Sequence, residues 1–121
     1  MPECRRLRCD VDGSDASLAR AIARSLVHHV CALADTEVET AEALEVATAE
    51  LLDEVSAVAR VEQLEVDPDF DGIDLVVRTR GPDPSAAAFR PGPVVRATFD
   101  SVEVGHGGEI HVRRRIDRRA R

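Results

Sequence analysis

Residues 43–58, ALEVATAELLDEVSAV, decide the fold predicted for this chain of 121 residues. Apolar side chains recur there at intervals of three and four, which predicts a helix with one buried face. That face comprises Leu44, Ala47, Leu51, Val55 and Val58. The opposite face is acidic and comprises Glu42, Glu45, Glu50, Asp53 and Glu54. Thr36 and Glu39 have capping-box spacing, so we expect this helix to begin at Asp35 and Thr36 and to end near Arg60.

A strand and another helix precede this segment. Leu7, Cys9 and Val11 alternate with Arg6, Arg8 and Asp10, which predicts a strand with one buried face. Ser14 or Asp15 can then cap a helix that ends near Leu33. Its predicted apolar stripe is Leu18, Ile22, Leu26 and Val30.

Strands dominate the rest of the chain. We expect residues 61–66 and 73–79 to form one hairpin, with its turn at 67–72. We expect residues 101–104 and 109–116 to form a second hairpin, with its turn at GHGG, 105–108. Residues 81–93 hold four of the six prolines and predict a loop, with room for a short helix near 86–88. Residues 94–99 suit either a helix or a strand.

The order of elements is therefore β-α-α-β-β-loop-β-β. Such an order predicts an α+β, two-layer sandwich, with the helices packed on one face of a mixed, largely antiparallel sheet. We expect a single domain over residues 1–116 and a basic C-terminal tail over 117–121, DRRAR.

Composition excludes several classes of function. The formal net charge of −7 argues against direct binding to nucleic acid, which depends on neutralising phosphates. With three Phe and no Trp or Tyr, the chain cannot build a platform on which bases stack. No apolar run reaches the length of a membrane span, and the N-terminus lacks the apolar segment of a signal peptide. We therefore expect a cytoplasmic protein that does not bind membranes.

The cysteines do not form a recognisable site. Cys4, Cys9 and Cys31 are odd in number and fit no zinc spacing, so we expect reduced thiols and no metal site. His28 and His29 are adjacent, and neighbours on a helix point about 100° apart, which disfavours a metal pair.

Asp100, Ser101 and His106 contain the residue types of a catalytic triad. They crowd one short segment, whereas a triad draws its members from separate elements. We do not expect them to form one.

Four segments together carry a family resemblance. They are RRLRCDVDGSDASLARAIARSL at 5–26, ALEVATAELLDEVSAV at 43–58, DLVVRTRGP at 74–82 and FDSVEVGHGGEIHVRRRI at 99–116. In this order they resemble the serine-kinase anti-sigma factors of the histidine-kinase-like ATPase superfamily. The resemblance covers nearly the whole chain and implies the histidine-kinase-like ATPase fold. It also implies binding of Mg²⁺–ATP, phosphorylation of a serine on an anti-sigma antagonist protein, sequestration of a sigma factor, and a homodimer.

The nucleotide positions of this family are only partly kept. Glu50 matches the family glutamate that activates the attacking hydroxyl, so it is the candidate catalytic residue. Glu54 stands where the family has an Asn that holds Mg²⁺, and the chain contains no Asn. Val58 replaces the usual His one turn later.

The turn that reads adenine in the family also differs. Thr79 replaces the Asp that accepts a hydrogen bond from the adenine amino group, Gly81 is retained, and Asp83 replaces a Gly. Ten residues separate Gly81 from Gly92, fewer than the family spends on its lid, so we expect a shortened lid. We take Glu54, Thr79, Gly81, Asp83 and Gly92 as positions of a degenerate cofactor pocket.

We therefore expect a regulatory protein that binds a sigma factor or a related partner as a homodimer, with ATP binding lost. The Arg20, Arg24 and His28 side of the first helix could belong to the partner surface, or be an ordinary solvated face. One alternative is an active anti-sigma serine kinase in which Glu54 replaces the Asn and Mg²⁺–ATP is the cofactor. Another is a small non-catalytic dimerisation or accessory domain.

Overall fold

The computed structural model describes residues 7–11, 15–69, 71–80, 89–105 and 107–116. Its elements are β1 (Leu7–Asp10), α1 (Ala16–Leu33), α2 (Val38–Ser56), β2 (Val61–Pro68), β3 (Gly72–Thr79), α3 (Pro93–Thr98), β4 (Ser101–Val104) and β5 (Glu109–Arg115). The described part is an α+β fold, as predicted. Residues 94–99, left open between helix and strand, lie mostly in α3. The predicted tail at 117–121 and the short helix near 86–88 lie outside the described residues.

The five strands form one sheet in the order β1-β2-β3-β5-β4. Both predicted hairpins are present, as β2–β3 and β4–β5. All four pairings between the described strands are antiparallel, so the prediction of a mixed sheet is wrong. The reason is that two helices, α1 and α2, connect β1 to β2, where a parallel crossover would use one, so the chain enters β2 in the direction opposite to β1.

The core lies between the inner face of this sheet and the two long helices. Its largest fully buried side chains include Leu44, Leu51, Leu52, Leu64, Leu75 and Ile110. Strand residues alternate between this core and an outer polar face, the usual arrangement for an antiparallel sheet covered on one side. Among the described helices, none is long and apolar enough to cross a membrane.

Helix α1 begins as predicted, but its buried face differs. The carboxylate of the N-cap Asp15 accepts a hydrogen bond from the backbone N–H of Leu18 at 3.1 Å. The buried residues are Ala19, Ala23, Val27, Val30 and Cys31. Of the predicted stripe, Val30 is buried, and Ile22 and Leu26 are half-buried and pack against the core. Leu18 is 43% exposed, so the prediction is wrong at that residue. Small side chains face the core because they let α1 approach its neighbours closely.

The junction between α1 and α2 corrects a predicted helix start. Asp35 has a φ of 55°, and the N–H groups of Asp35 and Thr36 donate to the carbonyls of Ala32 and Cys31. This is a Schellman motif with Asp in the position that Gly usually occupies. Asp35 and Thr36 therefore end α1 and do not begin α2.

Helix α2 keeps its predicted buried face except at Val58, and it has different ends. Its N-cap is Glu37, which makes no side-chain capping bond, so the predicted capping box of Thr36 and Glu39 is not formed. The helix ends at Ser56, before Arg60. Val58 consequently lies beyond the helix and is 39% exposed.

Candidate functional site

The candidate site is the C-terminal half of α2 and the segments beside it. Leu51, Leu52 and Val55 are fully buried there and fix the rotation of the helix. Glu50 is consequently exposed, and within the described residues it has no hydrogen-bonding or ionic partner. Its carboxylate is accessible, but the described structure holds no neighbouring group that would orient it for proton transfer.

Glu54 and Gly92 are brought together. The Glu54 carboxylate accepts a hydrogen bond from the backbone N–H of Gly92, with a Glu54 Oε1 to Gly92 N distance of 2.6 Å. Gly92 is the N-cap of α3, so this bond joins the last turn of α2 to the start of α3. A hydrogen bond from a backbone N–H to a carboxylate is among the stronger kinds in proteins.

Gly92 allows a close approach at this junction, because a side chain at position 92 would displace the flexible end of Glu54. A Cβ placed on Gly92 would lie 2.8 Å from Oε2 of Glu54, shorter than real Cβ contacts. Its φ of −74° is ordinary, so backbone conformation does not demand glycine. Both carboxylate oxygens of Glu54 thus lie against the backbone of Gly92, which defines the Glu54–Gly92 junction.

Thr79 makes hydrogen bonds within the sheet. It is buried at the end of β3, and both its hydroxyl and its backbone N–H donate to the carbonyl of Gly108, at 2.6 and 2.9 Å. Gly108 has a φ of 76°, which suits glycine in the turn before β5. Thr79 therefore closes the β4–β5 turn onto β3. Gly81 and Asp83, the other two predicted pocket positions, lie outside the described residues.

These contacts bear on whether Mg²⁺–ATP fits. The carboxylate that would replace the metal-binding Asn is bonded to a backbone amide. The hydroxyl that would meet adenine is buried and donates to a carbonyl. The described residues Glu54 and Thr79 therefore do not fit Mg²⁺–ATP. Among the described residues, no group of three or more His, Cys, Asp or Glu side chains is placed to hold a metal ion.

The predicted basic side of α1 largely faces α2. Arg20 binds Asp53 at 3.2 Å, and Nδ1 of His28 lies 3.0 Å from the Glu45 carboxylate. These residues form two polar side-chain contacts across the interface between α1 and α2. Arg24 lies between them and is exposed without a partner among the described residues.

The outer face of the sheet carries a network of charges that the sequence analysis missed. Glu65 is buried there, with its carboxylate 2.8 Å from Arg8 and 3.3 Å from Arg78. Arg78 also binds Glu109 at 3.2 Å. The alternation of charged residues along β2, β3 and β5 was a signal for this face, but cross-strand partners depend on register, which the sequence did not supply.

A second group of charges lies at the β2–β3 turn. Arg113 binds Asp69 at 2.6 Å and Asp74 at 2.8 Å, and His111 lies 3.0 Å from Asp74. Hydrogen bonds from Arg113, helped by the backbone N–H groups of Asp71 and Gly72, lower the pKa of Asp69 to about 2. Asp69 in turn raises the pKa of the Arg113 guanidinium above its ordinary value. These contacts hold the β2–β3 turn against β5.

The remaining candidates form no site among the described residues. Burial raises the pKa of the Cys31 thiol to about 11, so it is unreactive. Cys9 is half-buried. Asp100 accepts a hydrogen bond from the backbone N–H of Arg115 and Ser101 is exposed, while His106 lies outside the described residues.

Comparisons with models of protein families and with curated proteins find no match for this chain. The interpretation of the site therefore depends on its geometry and on the resemblance of its motifs.

Proposed function

We propose that this chain is a non-catalytic regulatory protein of the anti-sigma type, built on a histidine-kinase-like ATPase scaffold with a degenerate nucleotide site. It binds a sigma factor or a related signalling partner in the cytoplasm without phosphorylating it. Its α+β architecture and order of elements are compatible with this proposal.

The Glu54–Gly92 junction is the observation that carries the proposal. In the family the chain resembles, the residue at position 54 holds the metal through a neutral amide oxygen. Here a carboxylate stands at that position and is bonded 2.6 Å from a backbone nitrogen at the end of the shortened lid segment. A carboxylate would also repel a triphosphate that no metal shields. The junction thus supports a pocket converted from ligand binding to a structural contact.

The solvent face of the helix layer provides a surface for a protein partner. Helix α1 contains no acidic residue and α2 contains no basic residue, so the layer has a basic side and an acidic side. Four charged residues of this layer are exposed and have no partner among the described residues: Glu39, Glu42, Glu50 and Arg24. Charge pairs at the rim of an interface favour specific and fast association. These four residues are our candidates for contacts with the partner.

A binding assay tests the loss of ATP binding. The thermal midpoint of the purified protein is measured with Mg²⁺ alone, with Mg²⁺–ATP and with Mg²⁺–ADP at micromolar to millimolar nucleotide. We expect no nucleotide-dependent shift, because a ligand that does not bind the native state cannot stabilise it. A rise of several degrees at micromolar ATP would support the active kinase alternative and would overturn the proposal.

A second assay tests the partner. Tagged protein at native levels is recovered from its own host, and co-purified proteins are identified by mass spectrometry. The proposal expects a sigma factor, with a lower yield for an Arg24→Glu variant and an unchanged yield for Arg90→Ala, an exposed arginine outside the helix layer. Recovery of no sigma factor would favour the accessory-domain alternative.

A further inference from the structure

Strand β4 forms one edge of the sheet, and its free side carries a regular set of backbone groups. Among the described residues it pairs on one side only, with β5. The N–H of Gly105 donates to the carbonyl of Glu109 at 2.7 Å, in the same register as the strand pair. Because alternate residues of an antiparallel strand bond to the same neighbour, Glu103 also bonds to β5, whereas the backbone groups of Val102 and Val104 point away from the sheet. These two valines therefore offer two N–H donors and two carbonyl acceptors to another strand.

The side chains along this edge are incompletely covered on one face and unpaired on the other. Val102 and Val104 point to the inner face, where they are half-buried and pack against the edge of the core. Glu103 points to the outer face, is exposed and has no partner among the described residues. An added strand would bury more of the two valines and could bring a cation to the carboxylate.

The opposite edge of the sheet, β1, differs in both respects. Arg8 binds Glu65 at 2.8 Å, and Asp10 accepts a hydrogen bond from Gln63 at 3.0 Å, so both charges of β1 already have partners within the sheet. Strand β4 has a single charge without a partner, contains no Lys or Pro, and keeps a continuous register with β5. It thus lacks most of the features by which edge strands resist pairing.

The backbone pattern defines the strand that fits this edge. In an antiparallel pair, residues opposite Val102 and Val104 exchange hydrogen bonds with them. The residue between these two lies opposite Glu103 in a pair that is not hydrogen-bonded, where the Cα atoms are only about 4.5 Å apart and the side chains are closest. Opposite charges at such a position stabilise a strand pair, and like charges destabilise it.

We propose that β4 is a docking edge for an extended segment of a partner protein, which adds to the sheet as a sixth, antiparallel strand. The segment carries an Arg or Lys opposite Glu103 and an apolar residue on each side of it, opposite Val102 and Val104. Main-chain hydrogen bonds then provide affinity, and the alternate side chains provide specificity. The argument depends on the sheet edge alone and does not require the proposed function.

A synthetic peptide tests this chemistry. The fluorescein-labelled heptapeptide TTVRVTT, with an amidated C-terminus, places its Arg opposite Glu103 when its two Val residues lie opposite Val104 and Val102. We expect saturable binding in fluorescence anisotropy, and binding about five- to tenfold weaker for TTVEVTT, which sets like charges opposite each other.

N-methylated peptides test whether the main chain pairs as proposed. A methyl group on the nitrogen of the second Val removes the donor to the carbonyl of Val102 and should weaken binding by about fivefold or more. The matched control is a methyl group on the nitrogen of the Arg, whose N–H points away from β4. That peptide should bind nearly as well as the unmodified one.

A charge exchange locates the contact at Glu103. The net charge of −7 attracts any cationic peptide, so a control with the same change in charge is needed. Glu103→Arg should reverse the preference, so that TTVEVTT binds more tightly than TTVRVTT. Glu62→Arg, at an exposed residue of β2, should keep the wild-type preference. Circular dichroism of both variants controls for folding.

Amide hydrogen exchange followed by NMR identifies the edge directly. Saturation with TTVRVTT should slow exchange of the Val102 and Val104 amides by about tenfold or more, because each N–H gains a hydrogen bond. The amides of Arg8 and Asp10 point outward from the β1 edge, as the bond from the Val11 N–H to Glu62 shows. Their exchange should not change.

Each measurement can overturn the proposal. Absence of binding at millimolar peptide, equal binding of the two peptides, or an unchanged preference in Glu103→Arg would contradict it. Protection of Arg8 and Asp10 in place of the two valines would assign the peptide to the other edge. Protection of Val102 and Val104 without peptide, rising with protein concentration, would show that a second copy of the chain occupies β4 and not a different partner.

Discussion

Replacing Glu54 by Ala measures what the Glu54–Gly92 junction contributes. A hydrogen bond to a charged group contributes about 1.5–3 kcal/mol when buried. Gly92 is half-buried, so water replaces part of the bond that its N–H loses in the variant. Removing an acidic side chain four residues after Glu50 also relieves about 0.2–0.5 kcal/mol of like-charge repulsion on the helix. The net expected loss of unfolding free energy is about 1–2 kcal/mol.

The chain offers a matched control on the same helix. Glu50 lies one turn earlier, is exposed and has no partner among the described residues, so Glu50→Ala should change the unfolding free energy by less than about 0.5 kcal/mol. Glu54→Gln keeps a hydrogen-bond acceptor but removes its charge. It should therefore lower the unfolding free energy by about half as much as Glu54→Ala does. Urea and thermal denaturation followed by circular dichroism measure all three, with about 3–5 °C expected per kcal/mol at this chain length.

The result that would refute this reasoning is a Glu54→Ala variant as stable as Glu50→Ala, or more stable than the wild type. Carboxylates that together hold a metal ion repel one another when the metal is absent. Deleting one of them from a working metal site removes part of this repulsion and so stabilises the metal-free protein. Stabilisation by Glu54→Ala would therefore restore the nucleotide-binding interpretation of this helix.

Three further predictions concern stability. Thr48 is fully buried, and its hydroxyl has no hydrogen-bond partner among the residues that the structure describes. Thr48→Val should therefore raise the unfolding free energy by about 1 kcal/mol in urea titration, and a lower value than the wild type would contradict this. Thr79→Val removes the 2.6 Å hydrogen bond to Gly108 and should lower the unfolding free energy by about 1 kcal/mol in the same assay. The control is Thr98→Val, at a half-buried threonine that ends α3. Because the pKa of Asp69 falls from 3.8 to about 2 on folding, its stabilisation is complete above about pH 4 and is lost as pH falls towards 2. Asp69→Asn should flatten stability over that window, and an unchanged pH slope would contradict the assignment.

The architecture followed from the sequence to the extent that it depends on local patterns. Alternation with a period of two gave β1 and β5, and the β-branched, apolar run at 73–79 gave β3. The interval of three and four gave most of the buried face of α2. For α1 the same method selected the largest side chains, Leu18 and Ile22, whereas the core took alanines. Helix rotation depends on how closely two helices approach, which is a property of the packed pair and not of one helix.

The candidate site was less accessible to sequence reasoning. The comparison of motifs marked Glu54 and Gly92 separately as altered pocket positions, but not that they bond to each other across 38 positions of the chain. Similarly, Thr79 was considered as a ligand contact and serves as a hydrogen-bond donor to Gly108. Contacts of this kind are set by tertiary structure, which brings segments together irrespective of their separation in sequence.

The position of β1 has a consequence for synthesis on the ribosome. Arg8 and its partner Glu65 are 57 positions apart, so β1 emerges before both helices and β2 and cannot pair with β2 until they have followed it. The β2–β3 and β4–β5 hairpins, by contrast, need only neighbouring residues, and short-range contacts form sooner than long-range ones. During this interval both edges of the Leu7–Val11 segment are open to other nascent chains. The alternating Arg8 and Asp10 place a charge on every second residue of that segment, which is how natural strands resist unwanted pairing.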